Sequence, residues 1–488
     1  MQKKAIVIGA GIGGIAAAIR LRKKGYDVCV FEGNAYPGGK LSQFSLGDYR
    51  FDAGPSLFTM PNLVDELFVL CGENPRDHFN FSKKEVACNY FWDDGQSFTA
   101  WGNQDQFAKE AAGVFGESEA GLRSYFKKAK FKYDHLSKIF LENSLHKIRT
   151  LLNLRTLKAL FYSFRYDIFS SLHQTNTTLI RHPKLVQLFD RYATYNGSDP
   201  NQTPGLMTLI QHLESHFGTF IPEDGMYQIT QSLVALAKRN QVAFVYNTEV
   251  EKILVANNSV KGVVAQGNVI EAPLVVCNMD VTLAYQKLLP ELKMPRAQRL
   301  EAPSSAAVIF YWGIKKSYPQ LDLHNILFSK DYKKEFDAIF KLQTIDDDPT
   351  IYINITSKNV AEDAPSGGEN WFVMINTPHD SGQDWQELVK VLRKNCIRKI
   401  NNLLKEDIEK YIEEEEIRTP KDISRLTRSN KGALYGTSSN NLFAAFLRHP
   451  NFSSRAKGLY FCGGSVHPGG GIPLCLWSAK IVSDLVKS

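Results

Sequence analysis

Ala5-Ile6-Val7-Ile8-Gly9-Ala10-Gly11-Ile12-Gly13-Gly14 is the stretch that decides the fold. Its four leading apolar residues read as a buried parallel strand, its glycines as a tight turn, and Ile15-Ala16-Ala17-Ala18-Ile19-Arg20-Leu21 as the helix that follows. A second strand, Asp27 to Phe31, ends on Glu32. Strand, glycine turn, helix, strand and acid form the unit that binds a dinucleotide. Gly9 lets the turn close, Gly11 lets the backbone approach a pyrophosphate, and Gly14 lets the helix sit close to the sheet. The helix start at Ile12 and Gly13 offers unpaired N–H groups and a positive dipole end to the phosphates. Glu32 stands where a carboxylate can accept ribose hydroxyls.

This opening leaves FAD and a nicotinamide nucleotide both open. The next segments decide: Ala35-Tyr36-Pro37-Gly38-Gly39-Lys40, then Tyr49-Arg50-Phe51-Asp52-Ala53-Gly54-Pro55-Ser56. The tail adds Tyr460-Phe461-Cys462-Gly463-Gly464-Ser465-Val466-His467-Pro468-Gly469-Gly470-Gly471-Ile472-Pro473-Leu474. The combination resembles the amine-oxidase-like flavoproteins, and within them the bacterial carotenoid desaturases of phytoene and hydroxycarotenoid type. The signatures sit at opposite ends of the 488 residues, so the likeness spans the chain, specific at its ends and diffuse in its middle.

The resemblance implies an α/β fold with α+β elements: a Rossmann-like FAD-binding domain, a mixed-sheet substrate domain and a helical membrane-associating region. The FAD-binding parts are expected at 1–85, 226–290 and 431–488, and the substrate parts at 86–225 and 291–430. FAD is expected to be noncovalent, since no Cys or His stands in a covalent-flavin context. Its implied contacts are Gly9, Gly11, Ile12, Gly13, Gly14, Glu32, Lys40, Ser56, Leu57, Val250, Asn278, Asp280, Gly464, Gly471, Ile472 and Pro473. Gly38 and Gly39 would allow close approach rather than give side-chain contacts.

Length alone favours two domains. The seven cysteines lack paired or zinc-like spacing and read as free thiols in a reducing compartment, and no metal site is expected. The first strand starts at once, so no secretory leader is expected. No run of about 20 apolar residues is present to span a bilayer. The net charge of +7 is modest and does not call for nucleic acid.

Where the charge sits is more informative. Residues 121–180 carry Arg123, Lys127, Lys128, Lys130, Lys132, Lys138, Lys147, Arg149, Arg155, Lys158 and Arg165 among Tyr125, Phe126, Phe131, Tyr133, Phe140, Leu151, Leu152, Leu154, Leu157, Leu160, Phe161, Tyr162, Phe164 and Phe169. A helix from Leu145 to Phe169 with this mixture suits a lipid surface, apolar side chains at the acyl boundary and cations at the phosphates. The competing reading is a set of solvated helices whose apolar side is core. The resemblance implies peripheral attachment at the cytoplasmic face of the membrane.

Elsewhere, strands are expected within 86–101 around an Asp93-Asp94-Gly95 turn, at 242–245, 248–254, 260–265 and 274–277, and at 305–314 and 370–377 in a second sheet lining the substrate space. Helices are expected at 227–239, 383–404, 408–412 and 473–485, with Glu413-Glu414-Glu415-Glu416 as a solvated face.

The reaction class comes from the resemblance: oxidation of a saturated carbon–carbon bond to extend a polyene in carotenoid biosynthesis. A polyene can spread the positive charge left by a departing hydride, so the protein's task is alignment and a dry pocket. His467 is the candidate base, with anchoring of the glycine-rich loop as the alternative. The tail looks closest to enzymes that introduce a 3,4 (3',4') double bond into a 1-hydroxylated acyclic or monocyclic carotenoid. Phytoene desaturation, non-redox carotene isomerisation and an inactive carotenoid carrier remain alternatives. A polar group should recognise the hydroxyl, and the sequence does not identify it. No second glycine-rich dinucleotide unit is evident, which points to oxygen or a membrane quinone as electron acceptor.

Overall fold

The structure, a computed structural model, describes residues 3–147, 150, 153–441, 444 and 447–487. Lys4–Ile8 lies at the centre of a five-stranded parallel sheet, between Asp27–Phe31 and Leu274–Cys277, with Leu459–Phe461 and Ala243–Val245 at the edges. Segments far apart in sequence thus build one sheet. Helix Ile12–Lys23 covers it, and the run Ala16-Ala17-Ala18 is fully buried. Small side chains let the closing helix Ile472–Leu485 pack directly on it through Leu476, Ala479 and Val482, beside Ile229, Leu233 and Leu236 of helix Tyr227–Arg239. A three-stranded antiparallel sheet, Val250–Ala256, Ser259–Ala265 and Asn268–Glu271, flanks this layer.

The second sheet has seven strands in the order 412–418, 306–314, 369–377, 351–355, 324–327, 86–91 and 97–101. It is mixed, because His324–Leu327 runs parallel to Val86–Phe91 while its other pairings are antiparallel. Alternate residues of each strand face opposite ways. Phe310, Trp312, Ile353, Trp371 and Val373 pack on helix Trp385–Leu404. Their neighbours Ile309, Ile326, Tyr352, Phe372 and Met374 line a cavity on the other side. Both faces are covered, which is why these strands read as almost continuous apolar runs.

One expectation gains its element here, and one needs correction. Glu413–Glu416 lies in the strand Ile412–Arg418 at the edge of the seven-stranded sheet, where Glu413 and Glu415 are exposed as a solvated face requires. Trp312 Nε1 and Arg393 Nε donate to Glu415 at 2.6 and 2.8 Å, and Tyr49 OH donates to Glu413 at 2.8 Å, so the acids hold neighbouring segments together. Residues 408–411 form a single 3₁₀ turn that leads into that strand.

The basic aromatic segment also divides differently. Helix Glu119–Phe140 turns Leu122, Tyr125, Phe126, Ala129, Leu136 and Ile139 into the core. Even Lys132 is interior, donating to the Gly205 carbonyl and Thr208 Oγ1 and pairing with Asp167 at 2.6 Å. The expected helix 145–169 is instead a short helix, Leu154–Phe161, followed by a 3₁₀ turn at Ser163–Arg165. Here Leu154, Phe161, Phe164 and Phe169 are 72–93% exposed. Arg149, Leu151 and Leu152 lie outside the described residues, as do the side chains of Arg155, Leu157 and Leu160. Among the described residues no helix is long and apolar enough to cross a membrane, and all seven cysteines are free thiols.

Candidate cofactor and substrate cavity

The strands of the parallel sheet end at Ile8, Phe31, Cys277 and Phe461, and a cavity of about 540 Å³ opens beyond them. Gly9, Gly11, Ile12, Gly13, Glu32, Lys40, Ser56, Leu57, Val250, Asn278, Asp280, Gly464, His467, Gly471, Ile472 and Pro473 all line it. Gly14 does not: a Cβ there would lie 2.1 Å from the Gly9 carbonyl oxygen, so its part is helix packing. Segments far apart in sequence are therefore brought to one cavity.

Glu32 is held for a fixed role. One carboxylate oxygen accepts from Ala10 N at 2.7 Å and the other from Asn34 N at 2.9 Å, which leaves lone pairs for hydroxyl donors. The glycine crest is equally specific. A Cβ on Gly11 would come within 2.7 Å of Asn278 Nδ2, and one on Gly13 within 2.9 Å of Asn278 Oδ1. Asn278 thus sits between the first glycine turn and Gly463, where a Cβ would meet its Oδ1 at 2.6 Å. Gly38 N donates to the Ala10 carbonyl, laying the second glycine pair across the first. Both helices that start at this wall, Ile12–Lys23 and Ile472–Leu485, lack a side-chain cap at their N-termini, so their first amides are available to anionic groups.

Lys40 does more than was legible in its motif. Its Nζ donates to the carbonyls of Ala433 and Leu434 at 2.9 and 2.6 Å, tying the first segment to the last. Burial lowers its pKa to about 8, opposed by the charge of Asp280. Asp280 itself caps the short turn after its strand, accepting from Thr282 N at 2.9 Å, and burial pushes its carboxyl up against the pull of Lys40. Arg448 was not singled out by its sequence context. It is buried, donates to the Tyr435 carbonyl at 2.8 Å, and has its pKa lowered to about 10 by desolvation. His467 is 2% exposed, and its Nε2 donates to the Asn143 carbonyl at 2.9 Å. Burial lowers its pKa to about 4.

These groups fit FAD: an acid for the ribose, a side-chain-free crest and helix amides for the pyrophosphate, and the cations Lys40 and Arg448 in the same cavity. Beyond them the cavity becomes apolar, lined by Leu136, Phe140, Met207 and Ile210 from the helical layer and by Ile309, Ile326, Phe372 and Met374 from the sheet. No group of His, Cys, Asp and Glu among the described residues is arranged to hold a metal ion. The fold and this cavity define a flavin-dependent oxidoreductase.

Residues 12–487 match the family described as flavin containing amine oxidoreductase, and the chain belongs to that family, with FAD as its cofactor. It is 53% identical over 487 residues to the 1-hydroxycarotenoid 3,4-desaturase of Flavobacterium sp. (strain P99-3), covering 100% of this chain and 99% of that protein. It is 32% identical to a 4,4'-diapolycopene oxygenase of Methylomonas sp., covering 99% of this chain and 98% of that one. Among solved structures, an oxidoreductase from Methanosarcina mazei superposes with a TM-score of 0.64 at 15% identity, covering 99% of this chain and 100% of that one. Putrescine oxidase bound to putrescine gives 0.64 at 13% identity, covering 99% of this chain and 98% of its own, a likeness of fold alone.

Proposed function

We propose that this protein is a carotenoid desaturase that introduces the 3,4 double bond into a 1-hydroxylated acyclic or monocyclic polyene. The observation that carries the reading is the cavity that joins the dinucleotide cradle to an apolar space between helices and sheet. FAD, when noncovalently bound there, supplies the two-electron acceptor for the oxidation. The chain's own residues exclude water and align the polyene. The 53% relative supports the carotenoid and the bond.

His467 serves the loop rather than the chemistry in this reading. Its Nε2 is engaged as a donor, Asn451 Nδ2 donates to its carbonyl at 2.7 Å, and a base with a pKa of about 4 has little drive to take a proton near pH 7.

The substrate is expected to arrive from lipid. Ala159 and Tyr166 pack in one cluster with Leu136 and Leu145, which themselves line the cavity. On its outer side the same segment presents exposed Leu154, Phe161, Phe164 and Phe169 with Lys158 and Arg165, the composition of an interfacial anchor. Peripheral attachment at the cytoplasmic face, with electrons passed to oxygen or a membrane quinone, belongs to the same proposal. The test is product analysis with phytoene and with 1-hydroxylated acyclic and monocyclic carotenoids in liposomes. A red-shifted product lighter by two hydrogens supports desaturation; a product of unchanged mass means isomerisation.

A further inference from the structure

The sheet that floors the apolar space carries a polar chain that runs from the edge of the dinucleotide cradle into that space. Ser56 Oγ lies 2.8 Å from Tyr352 OH, which lies 2.7 Å from His324 Nδ1. Asn354 Nδ2 donates to the Leu323 carbonyl at 2.8 Å, which fixes its amide orientation, and the same nitrogen stands 3.3 Å from His324 Nδ1. An amide nitrogen can only donate, so Nδ1 accepts and Nε2 carries the proton of the neutral ring. His324 is 3% exposed, and its Nε2 is buried with no hydrogen-bond partner. Burial keeps the ring neutral, lowering its pKa to about 3.

A second orphan donor belongs to the helical wall. Arg191 directs Nη1 to Tyr195 OH at 2.8 Å and Nη2 to Glu214 at 3.4 Å, while its Nε is buried without a partner. Glu214 also accepts from the hydroxyls of Tyr192 and Tyr195. Arg191, Glu214, His324 and Tyr352 all line the same cavity, and the Arg191 charge is near enough to oppose protonation of His324. A buried donor without an acceptor is costly, and so is a charged pair beside an apolar space. What the two donors lack is an oxygen lone pair.

Resting on the desaturase reading, we propose that His324 and the Arg191–Glu214 pair form the specificity site for the hydroxyl of the polyene, His324 Nε2 donating to its oxygen and Glu214, held by Arg191, accepting from its O–H. Tyr352 is then a positioning residue, holding the imidazole in the tautomer that donates from Nε2. A substrate lacking the hydroxyl leaves the His324 donor unpaired, the condition under which a site discriminates against a deoxy analogue.

The test uses the FAD-loaded full chain in liposomes with a 1-hydroxylated polyene and its 1-deoxy analogue, each assayed for kcat and KM and for equilibrium binding by the shift of polyene absorption. In His324→Leu the preference for the hydroxylated substrate falls by about 10–100-fold, through KM and binding. His324→Gln, which keeps a donor, restores much of it, and Tyr352→Phe lowers the preference several-fold. Flavin content and thermal midpoint of each variant identify any fold defect, and Tyr352→Phe carries the test if the Leu variant does not fold. An unchanged preference in folded His324→Leu or Tyr352→Phe overturns the hydroxyl site and leaves the desaturase reading standing. A wild type that turns over neither polyene overturns that reading, and the site with it.

Discussion

Gly14→Ala is the smallest change that should separate the cofactor from the fold. The added Cβ would stand 2.1 Å from the Gly9 carbonyl oxygen and 3.2 Å from Asn278 Cβ, whereas real Cβ atoms essentially never approach within 3.0 Å. The obstacle is backbone, so it cannot rotate away; the helix start must retreat by about 1 Å. Overpacking of this kind costs about 1–3 kcal/mol. The displaced amides are those facing the pyrophosphate, so a comparable loss should appear in FAD binding, about 10–100-fold at 1.4 kcal/mol per factor of ten. Gly113→Ala is the control. It lies in helix Gln104–Phe115 with nothing within 4 Å of its new Cβ, and should raise stability by about 0.5–1 kcal/mol without touching FAD affinity. Apoprotein titrated with FAD and followed by flavin fluorescence gives both constants. Wild-type affinity in Gly14→Ala would refute the placement of the phosphate crest.

Acid precipitation should leave the flavin in the supernatant; flavin that pellets with the chain would contradict noncovalent binding. Replacing Phe161, Phe164 and Phe169 with Ser should cut liposome flotation by at least roughly 100-fold, each buried Phe being worth about 1.5–3 kcal/mol, while moving stability little because all three are exposed. Equal flotation would remove the anchor from this segment. His212 is 1% exposed, with neither ring nitrogen paired and a pKa lowered by burial to about 4. The unfolded chain takes up this proton near pH 6.5 and the folded one only near 4, so wild type loses stability through His212 as pH falls across that window. Urea midpoints of His212→Leu relative to wild type should therefore improve progressively from pH 6.5 to 4; a constant difference would contradict the buried neutral ring.

The nucleotide half of the site was legible because its chemistry is backbone chemistry. Gly9 is constrained by its φ of 92° and Gly11 and Gly13 by what a Cβ would strike, and such constraints leave a local motif. Strands such as 306–314 and 369–377 were equally visible from their aromatic and β-branched runs. Their facing was not, since Phe310 and Ile309 are both apolar while one meets a helix and the other the cavity. The acids 413–416 hid their strand for a related reason: an edge strand tolerates charge on alternate residues, and the partners Trp312, Arg393 and Tyr49 come from elsewhere in the chain. Tyr125 and Phe126 carried the same composition as Phe161 and Phe164, and only tertiary packing separates core from surface. Arg191, Glu214, His324 and Tyr352 lie in the diffuse middle, more than 100 residues apart at the extremes, and no spacing rule joins them.

The central claim is a two-electron oxidation of a lipid-borne polyene. Its most direct measurement is an anaerobic turnover of the FAD-loaded protein with a 1-hydroxylated carotenoid in liposomes, without and then with a quinone. The account predicts one new carbon–carbon double bond, a loss of two hydrogens in mass, and one quinone reduced per product, with turnover stopping at the enzyme-bound flavin when quinone is omitted. A product of unchanged mass formed without consumption of any acceptor would contradict it.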